Sequence, residues 1–386
     1  MNALPVARLQ FATTTSFHFL FVLLTLGLVT LVAVMQTRWT LGGKPELLRM
    51  TRFWGRLYVI NYALGIVTGI VMEFQFGLTW TGLSAFAGDV FGAPLAIEAL
   101  VAFFLESTFL GLWIFGFGRL PRWLHLTLIW LVTLTAYASA LFIMLANSFL
   151  QNPVGSHVED GTLRLDDFGA LFANPALAAS LPHVLGAALV TGGFFVAGVS
   201  AWHFLKRTDE VEFFRRSMRV GVVAALAGSV FVVNQGFAQF GELAKYQPDK
   251  LGTGAVGAPL GAMIGLGFLM FLCAIIGTVL LIRNWVTRAR FLHYLMVAAI
   301  PLPFAAAILG WLVRELGRQP WLVWGKLRTA DAIADVPAGQ ILFSFIAFSL
   351  LFAALAVADW VLMARVAKRG PEPAEAPAEL PVLSGV

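Results

Sequence analysis

A series of long, continuously apolar stretches constrains the fold of this chain more than any other feature. A spanning helix needs about 20 mostly apolar residues. Nine stretches qualify: 14–36, 53–76, 93–117, 123–149, 182–205, 218–240, 257–282, 291–313 and 338–364. Because they show no period-two alternation, they predict helices and not the strands of a membrane barrel. The sequence therefore predicts an all-α polytopic membrane protein with nine transmembrane helices.

The placement of charge predicts the orientation of these helices. Charged residues make up only 12% of the chain, against about 25% in a soluble domain. With the N-terminus outside and the C-terminus in the cytoplasm, 18 of the 26 Lys and Arg residues face the cytoplasm, as the positive-inside rule requires. Residues 1–369 form one predicted membrane domain, residues 370–386 a disordered cytoplasmic tail, and no nucleic-acid partner is expected.

Polar residues within the apolar stretches gather at the predicted outer side. Charge inside hydrocarbon is costly, so such residues indicate function. The set comprises His18, Glu73, Glu98, Glu106, Asn147, His183, Met263 and Glu315. His18 and His183 are expected to open their helices, and Glu315 to lie just beyond the eighth. Glu106 is eight residues deeper than Glu98, about 12 Å at 1.5 Å per residue.

Histidine, methionine and carboxylates together indicate a haem protein. A His/Met pair closes both axial positions of an electron-transfer haem, whereas a single protein ligand leaves one face open. Carboxylates beside iron can ligate it, neutralise its charge or relay protons. Cys273 is the single cysteine, which excludes an internal disulfide or a thiolate cluster.

Several local motifs resemble subunit I of the bacterial cytochrome bd-type terminal oxidases. The resemblance runs in order from residue 8 to about 365. Its motifs are RLQF at 8–11, HFLF at 18–21, GIVMEFQFG at 69–77, FGAPLAIE at 91–98, AFFLES at 102–107 and ELGRQPW at 315–321.

The resemblance implies an enzyme, a quinol:oxygen oxidoreductase of the bacterial cytoplasmic (inner) membrane. Such an enzyme reduces O2 to water and generates a membrane potential without pumping protons. The implied cofactors are haem b558, haem b595 and haem d, with a b-type haem as the alternative to haem d. The implied partners are a second subunit, forming a heterodimer, and small single-helix subunits.

The resemblance also assigns residues. His18 matches the ligand of a high-spin haem iron, and His183 and Met263 match the axial pair of haem b558. Glu98 and Glu315 match carboxylates that ligate or adjoin the high-spin haems, and which iron each faces stays open. Further matches are the proton-supply residues Glu106 and Ser107 and the haem-lining residues Arg8, Asn147, Trp311 and Arg318.

The electron-donor side departs from the family pattern. The connection at 241–256 is far shorter than the family's quinol-binding loop. Gln247 and Lys250 match quinol-site residues, but the carboxylate expected seven residues after Lys250 is missing, which leaves Glu242 as the candidate proton acceptor. Gly261 replaces an arginine that the family places two residues before the methionine ligand. Quinol is the favoured donor, and a cytochrome c-like protein is the alternative.

The remaining histidines support an alternative interpretation, in which the chain belongs to another class of haem protein. His125, His203 and His293 lie at predicted cytoplasmic helix ends and His157 in an outer loop, where we expect interfacial or solvated side chains. His183 and His203 share one helix, as in a two-haem cytochrome b anchor that only moves electrons. That interpretation leaves the carboxylates unexplained.

Overall fold

The computed structural model describes residues 3–252, 254–283 and 285–373. Within them, nine helical spans are long and apolar enough to cross a membrane, which confirms the prediction. The helices are α1 (Ala3–Gly42), α2 (Pro45–Leu78), α3 (Thr81–Ile97), α4 (Phe104–Gly116), α5 (Arg122–Gln151), α6 (Phe168–Phe172), α7 (Pro175–Leu205), α8 (Val211–Tyr246), α9 (Gly254–Ile282), α10 (Arg290–Ala299), α11 (Leu302–Leu316) and α12 (Ala338–Arg369). The third span joins α3 and α4, the eighth joins α10 and α11, and α6 is a short surface helix.

Most helices extend well beyond their apolar stretches. The 40 residues of α1 measure about 60 Å at 1.5 Å per residue, twice the hydrocarbon thickness of about 30 Å. Hydropathy marks only the part of a helix that meets lipid tails, whereas the backbone hydrogen bonds continue through the polar interface.

This extension corrects four predicted positions. His18 and His183 do not open their helices but lie about four turns inside α1 and about two turns inside α7, respectively. Glu315 lies within α11 and not beyond it. Glu242 belongs to α8, because that helix continues to Tyr246 and a short 3-10 helix, Pro248–Gly252, forms most of the remaining connection.

Two spans are interrupted, and prolines accompany both interruptions. Between α3 and α4 the backbone forms a π-helical segment, Glu98–Phe103, one turn after Pro94, which lies inside α3. Between α10 and α11 the break falls at Pro301. Proline lacks an N–H group and clashes with the preceding turn, so it breaks or kinks a helix.

The centre of the bundle is formed by α1 and α7. They touch through glycines: a Cβ added at Gly27 would lie 2.2 Å from the carbonyl oxygen of Ala188, and one at Gly192 would lie 2.9 Å from the Cα of Gly27. Small residues allow membrane helices to pack at backbone contact. By contrast, α12 buries few side chains.

Two antiparallel hairpins cover one end of the bundle. Strands β1 (Ser156–Glu159) and β2 (Thr162–Leu165) follow α5, and β3 (Trp321–Val323) and β4 (Leu327–Arg328) follow α11. The backbone N–H of Trp324 donates to the carbonyl of Leu150 at 3.0 Å, which ties the second hairpin to α5.

At the C-terminal end, the predicted tail is described only in part. Residues 374–386 lie outside the described residues. Before them, the Arg49 guanidinium donates to the backbone oxygen of Glu372 at 2.8 Å.

Candidate functional site

Most of the predicted site residues line one cavity of about 800 Å³, within the usual range for ligand pockets. It lies among α1, α2, the third span, α5 and α11. Its polar and aromatic lining includes Arg8, His18, Glu73, Glu98, Glu106, Asn147, Trp311, Glu315 and Arg318. The convergence expected from the sequence is therefore present for these residues, and we call this space the large cavity.

The tautomer of His18 follows from its hydrogen bonds. His18 Nδ1 lies 2.8 Å from Thr68 Oγ1, and the Thr68 hydroxyl donates its own hydrogen to the carbonyl of Gly65 at 2.6 Å. Thr68 must therefore accept from His18 Nδ1–H. Nε2 then carries a lone pair, and it has no hydrogen-bond partner among the described residues. A ring oriented in this way by its other nitrogen is typical of a metal-ligating histidine.

Glu98 lies at the start of the π-helical segment. Its carboxylate accepts a hydrogen bond from Ser139 Oγ on α5 at 2.6 Å, and it is a neighbour of the Glu73 carboxyl group. π-Helical turns are rare and frequently mark functional sites. Here the π-helical segment carries a carboxylate into the large cavity.

Glu106 lies in the wall of the large cavity and is only 6% exposed. Its Oε1 has no hydrogen-bond partner within the described part of the chain. The neighbouring Ser107 does not line the cavity itself, but its hydroxyl lies 3.3 Å from the hydroxyl of Tyr62, which does. A buried carboxyl oxygen without a partner is costly, and it is suited to exchange protons with water or a neighbouring group.

An ion pair on α11 and the segment after it borders the large cavity. Arg318 Nη2 donates to Glu315 Oε2, and Arg318 is only 1% exposed. Its Nε and Nη1 have no partners among the described residues, and neither has Trp311 Nε1. Buried guanidinium N–H groups need acceptors, so this wall is suited to an anionic ligand group such as a carboxylate.

The predicted ligand pair lies in a second cavity. His183 on α7 and Met263 on α9 both line a space of about 260 Å³, which we call the small cavity. His183 Nδ1 donates to the carbonyl of Val232 at 3.1 Å, so its Nε2 is also left as a potential ligand. The pair is therefore brought to one site, apart from His18.

Two glycines leave room beside this pair. A Cβ added at Gly310 on α11 would lie 2.9 Å from Met263 Sδ, and one at Gly236 on α8 would lie 3.3 Å from His183 Cε1. Each glycine thus permits the ligand side chain to lie against a neighbouring helix.

Trp311 and Asn147 line both cavities. Trp311 stacks on Phe19 with ring centroids 6.0 Å apart. Trp311 and Glu315 both lie within α11, so their spacing of four places them on one helix face. Asn147 accepts from Arg314 Nε and lies 3.5 Å from Glu315 Oε1, to which its Nδ2 donates. The two cavities therefore share a wall that contains Trp311 and Asn147 together with Phe19, Met144 and Val184.

The predicted donor residues Gln247 and Lys250 are buried beside the small cavity. Gln247 donates to the carbonyl of Gln151 at 2.6 Å, and Lys250 Nζ donates to the carbonyl of Arg314 at 3.0 Å and to Gln151 Oε1 at 3.2 Å. Lys250 is 3% exposed.

This burial changes the acid–base behaviour of the amine. Burial and, to a smaller extent, the charge of Arg314 lower the pKa of Lys250, Glu315 opposes the shift, and the resulting pKa is about 7. Glu242 also lines the small cavity and forms an ion pair with Lys245 at 3.3 Å.

Three of the remaining histidines are buried, so the solvated side chains that the sequence allowed are not observed at these positions. His125, His203 and His293 are buried and their Nε2 atoms lie 2.6–2.9 Å from backbone carbonyls. They lie inside the predicted apolar stretches, but the carbonyls that they contact, those of Trp113, Ala367 and Val286, belong to other segments, whose positions hydropathy does not report. His157 is exposed, as expected, and pairs with Asp166 at 2.7 Å, although it lies in strand β1 and not in an irregular loop.

Three relevant residues were missed in the sequence. Thr68 gives no signal, because a hydroxyl on an apolar helix is common. Arg314 follows directly after the apolar stretch 291–313, so hydropathy places it outside the membrane span, although it adjoins Glu315 on α11. Asp359 on α12 is 4% exposed with an unpaired Oδ1 among the described residues; its charge inside the last apolar stretch was a usable signal. It lines neither cavity.

The described residues fit haem as the ligand of these cavities. Two histidines have an Nε2 without a partner in the described part of the chain, a methionine lines the small cavity together with one of them, and both cavities have mostly apolar walls. The unpaired N–H groups of Arg318 suit the carboxylates that a haem carries.

Comparison with known proteins supports this assignment. The family model for cytochrome bd terminal oxidase subunit I matches residues 6–256 and 259–371. The chain is 38% identical over 445 aligned positions to cytochrome bd ubiquinol oxidase subunit 1 of Bacillus subtilis (strain 168), covering 96% of this chain and 95% of the relative. It is 31% identical over 500 positions to cytochrome bd-II ubiquinol oxidase subunit 1 of Escherichia coli (strain K12), with 96% and 97% covered.

The fold is similar to that of the bd oxidase from Geobacillus thermodenitrificans. The TM-score is 0.88, at 24% sequence identity, over 96% of this chain and all of the other. At that identity the likeness concerns the fold alone. The family match over nearly the whole chain excludes the two-haem anchor as the overall architecture. This multi-pass membrane protein therefore belongs to the cytochrome bd terminal oxidase subunit I family, whose members are haem-binding oxidoreductases.

Proposed function

We propose that this chain is the haem-carrying subunit of a respiratory oxidase that oxidises quinol and reduces O2 to water. One observation carries the proposal: two separate cavities share a wall, one with a His/Met pair and one with a single histidine among carboxylates. The first is suited to electron transfer and the second to a reaction that consumes protons.

Each cavity would hold its cofactors through this chain's own residues. His183 and Met263 would ligate a low-spin haem of the b558 type, and His18 one of the two high-spin haems, b595 or d. Glu98 and Glu315 would ligate or adjoin the high-spin pair, with Arg8 and Arg318 at its edges. When bound, the haems carry electrons, and an iron with an open position is where O2 is reduced. A b-type haem in place of haem d fits the same pocket residues.

Glu106 and Ser107 would deliver protons to the large cavity. Glu106 is buried, lines the cavity and has an unpaired carboxyl oxygen. The contact between Tyr62 and Ser107 adds two hydroxyl groups, one of them on the residue next to Glu106 in the chain. With the N-terminus outside, Glu106 lies on the cytoplasmic side of Glu98. Protons consumed from the cytoplasm and electrons supplied from outside would generate a potential without a pump.

On the donor side, Lys250 and Glu242 would take protons from quinol. Oxidation of a quinol releases two protons, and a base is most effective when its pKa lies near the working pH. Lys250, with a pKa of about 7, meets that condition although the family's carboxylate is missing. Glu242 lines the same cavity, and Gln247 would position the Lys250 amine through their contact at 3.4 Å.

A cytochrome c-like donor is the second candidate. The observation that favours it is the burial of Gln247 and Lys250, which are engaged with Gln151 and with the carbonyl of Arg314. A protein donor requires only a small exposed patch near the haem edge, which a short connection leaves uncovered.

The assembly we propose is a heterodimer with a second subunit in the bacterial cytoplasmic membrane, with small single-helix subunits as further partners. The exposed apolar faces of α9 and α12 support contact with lipid or another subunit. Large apolar side chains on them, such as Phe268 and Phe343, are 47% and 75% exposed.

Oxygen uptake by the purified, haem-replete complex tests the proposal. A short-chain quinol should support turnover, and a reduced-minus-oxidised spectrum should show low-spin and high-spin haems, with a chlorin band if haem d is present. Glu242→Gln should slow quinol-driven uptake, whereas Asp249→Asn, at an exposed neighbouring acid, should not. Absence of turnover with quinol, together with turnover supplied by a reduced cytochrome c, would replace the first candidate by the second.

A further inference from the structure

Arg314 places a guanidinium in the small cavity. It lies on α11, four residues after Gly310, which adjoins Met263. It lines the same space as His183 and Met263, and its charge acts on the His183 ring. Arginine stays charged in proteins, so this cavity contains a fixed cation beside two neutral ligand side chains.

The guanidinium is held firmly along one edge. Its Nε donates to Asn147 Oδ1 and its Nη2 to Ser148 Oγ at 3.3 Å. Both acceptors belong to α5, so Arg314 joins α11 to α5 at the wall between the cavities. Its Nη1 has no hydrogen-bond partner among the described residues. One edge of the planar group is therefore fixed, while the other still has donors to offer.

The other charged side chains that line the small cavity, Lys250 and Glu242, are engaged with protein partners. Lys250 donates to carbonyl and amide oxygens around it, and Glu242 is paired with Lys245. Gly261, two residues before Met263, contributes no side chain, and a Cβ there would meet nothing within 4 Å. The chain therefore has no positive charge at position 261, close to Met263 in the sequence. Arg314 supplies a positive charge to the same cavity from a different helix, α11.

We propose that Arg314 is a positioning residue that binds a carboxylate of the haem held by His183 and Met263 and sets the potential of that haem. A guanidinium pairs with a carboxylate in a fixed, directional geometry. A nearby positive charge also disfavours the more positive, oxidised iron. Arg314 therefore stabilises the reduced haem. This inference rests on the proposed function, because it assumes that His183 and Met263 hold a haem.

The test is a spectroelectrochemical titration of the low-spin haem in the whole purified complex. The variants are Arg314→Gln and Arg314→Lys, with Arg164→Gln as a matched control. Arg164 is an exposed arginine of the outer hairpin, paired with Asp89, and lines neither cavity. In Arg314→Gln we expect the ratio of reduced to oxidised haem at a fixed potential to fall about tenfold, which is about 59 mV for one electron. Arg314→Lys should recover much of the change, and the control should not shift.

Two results would overturn the inference. One is an unchanged potential in Arg314→Gln with the haem still six-coordinate. The other is equal loss of low-spin haem in the Gln and Lys variants, which would reduce Arg314 to a structural link between α11 and α5. Loss of the haem in the Gln variant alone supports the carboxylate contact. A different variant tests the proposed function itself. If His183 and Met263 do not hold a haem, Met263→Leu will leave the low-spin spectrum unchanged.

Discussion

The large and small cavities differ in how their polar groups are satisfied. In the large cavity the buried Glu106 oxygen and two nitrogens of Arg318 have no partners among the described residues. In the small cavity Lys250 and Arg314 are held by amide, hydroxyl and carbonyl oxygens. The lining of the large cavity contains four glutamates, whereas that of the small cavity contains one.

This difference separates the chemistry of the two sites. A haem closed by His183 and Met263 only gains and loses electrons, so its surroundings need fixed charge and little proton exchange. A site that reduces O2 must also receive protons, which requires carboxyl groups able to take them up and release them. The shared wall, which contains Trp311 and Asn147, separates the two environments while leaving them adjacent.

The largest expected effect is a loss of O2 reduction, and it concerns only the large cavity. Glu106→Gln keeps the volume and removes the exchangeable proton, so O2 reduction should slow by about 10²–10⁴-fold at unchanged haem content. Steady-state oxygen uptake and haem quantification measure this. Glu46→Gln is a suitable control, because Glu46 is an exposed acid in the first turn of α2. Normal turnover in Glu106→Gln would remove this residue from the proton route.

The next effect concerns the small cavity. Met263→Leu removes the thioether at similar volume, so the low-spin haem should become high-spin or be lost, while the spectrum of the oxygen site largely survives. An optical spectrum of the reduced complex measures both. Low-spin absorbance equal to that of the wild type would refute the ligand assignment.

A smaller effect on the same site should follow from steric displacement. In Gly310→Ala the new Cβ would lie 2.9 Å from Met263 Sδ, so the thioether must move and the low-spin fraction should fall in part. Gly265→Ala on α9 is the matched control, because a Cβ there meets nothing within 4 Å. An optical spectrum of each variant gives its low-spin fraction. Equal fractions in the two variants would contradict the contact between Gly310 and Met263.

The smallest effect is a pH dependence on the donor side. A neutral Lys250 amine accepts a proton, so quinol oxidation should rise with pH. With a pKa of about 7, about half of the Lys250 amines are neutral at pH 7 and nearly all are neutral at pH 9. The rate of quinol oxidation should therefore rise about twofold between these two pH values. Lys250→Met should abolish this rise, which stopped-flow measurement of quinol oxidation can follow. Persistence of the same rise in the variant would assign it to another group.

The sequence predicted the fold well because the cost of exposing backbone to lipid leaves few alternatives. It predicted which residues gather at the large cavity because intramembrane charge is rare. It placed His18, His183, Glu242 and Glu315 wrongly within their helices, since hydropathy does not report where a helix ends. Arg314 and Thr68 act through tertiary contacts with other helices, and such contacts leave no local pattern.

The most direct test of the account is carbon monoxide binding to the reduced complex, since this gas binds only an iron with an open position. We predict that the wild type contains one low-spin haem that does not respond to carbon monoxide and a high-spin component that does. In Met263→Leu the haem of the small cavity, where retained, should respond as well. A wild-type complex in which all haems, or none, respond would contradict the division into a closed electron-transfer site and an open oxygen site.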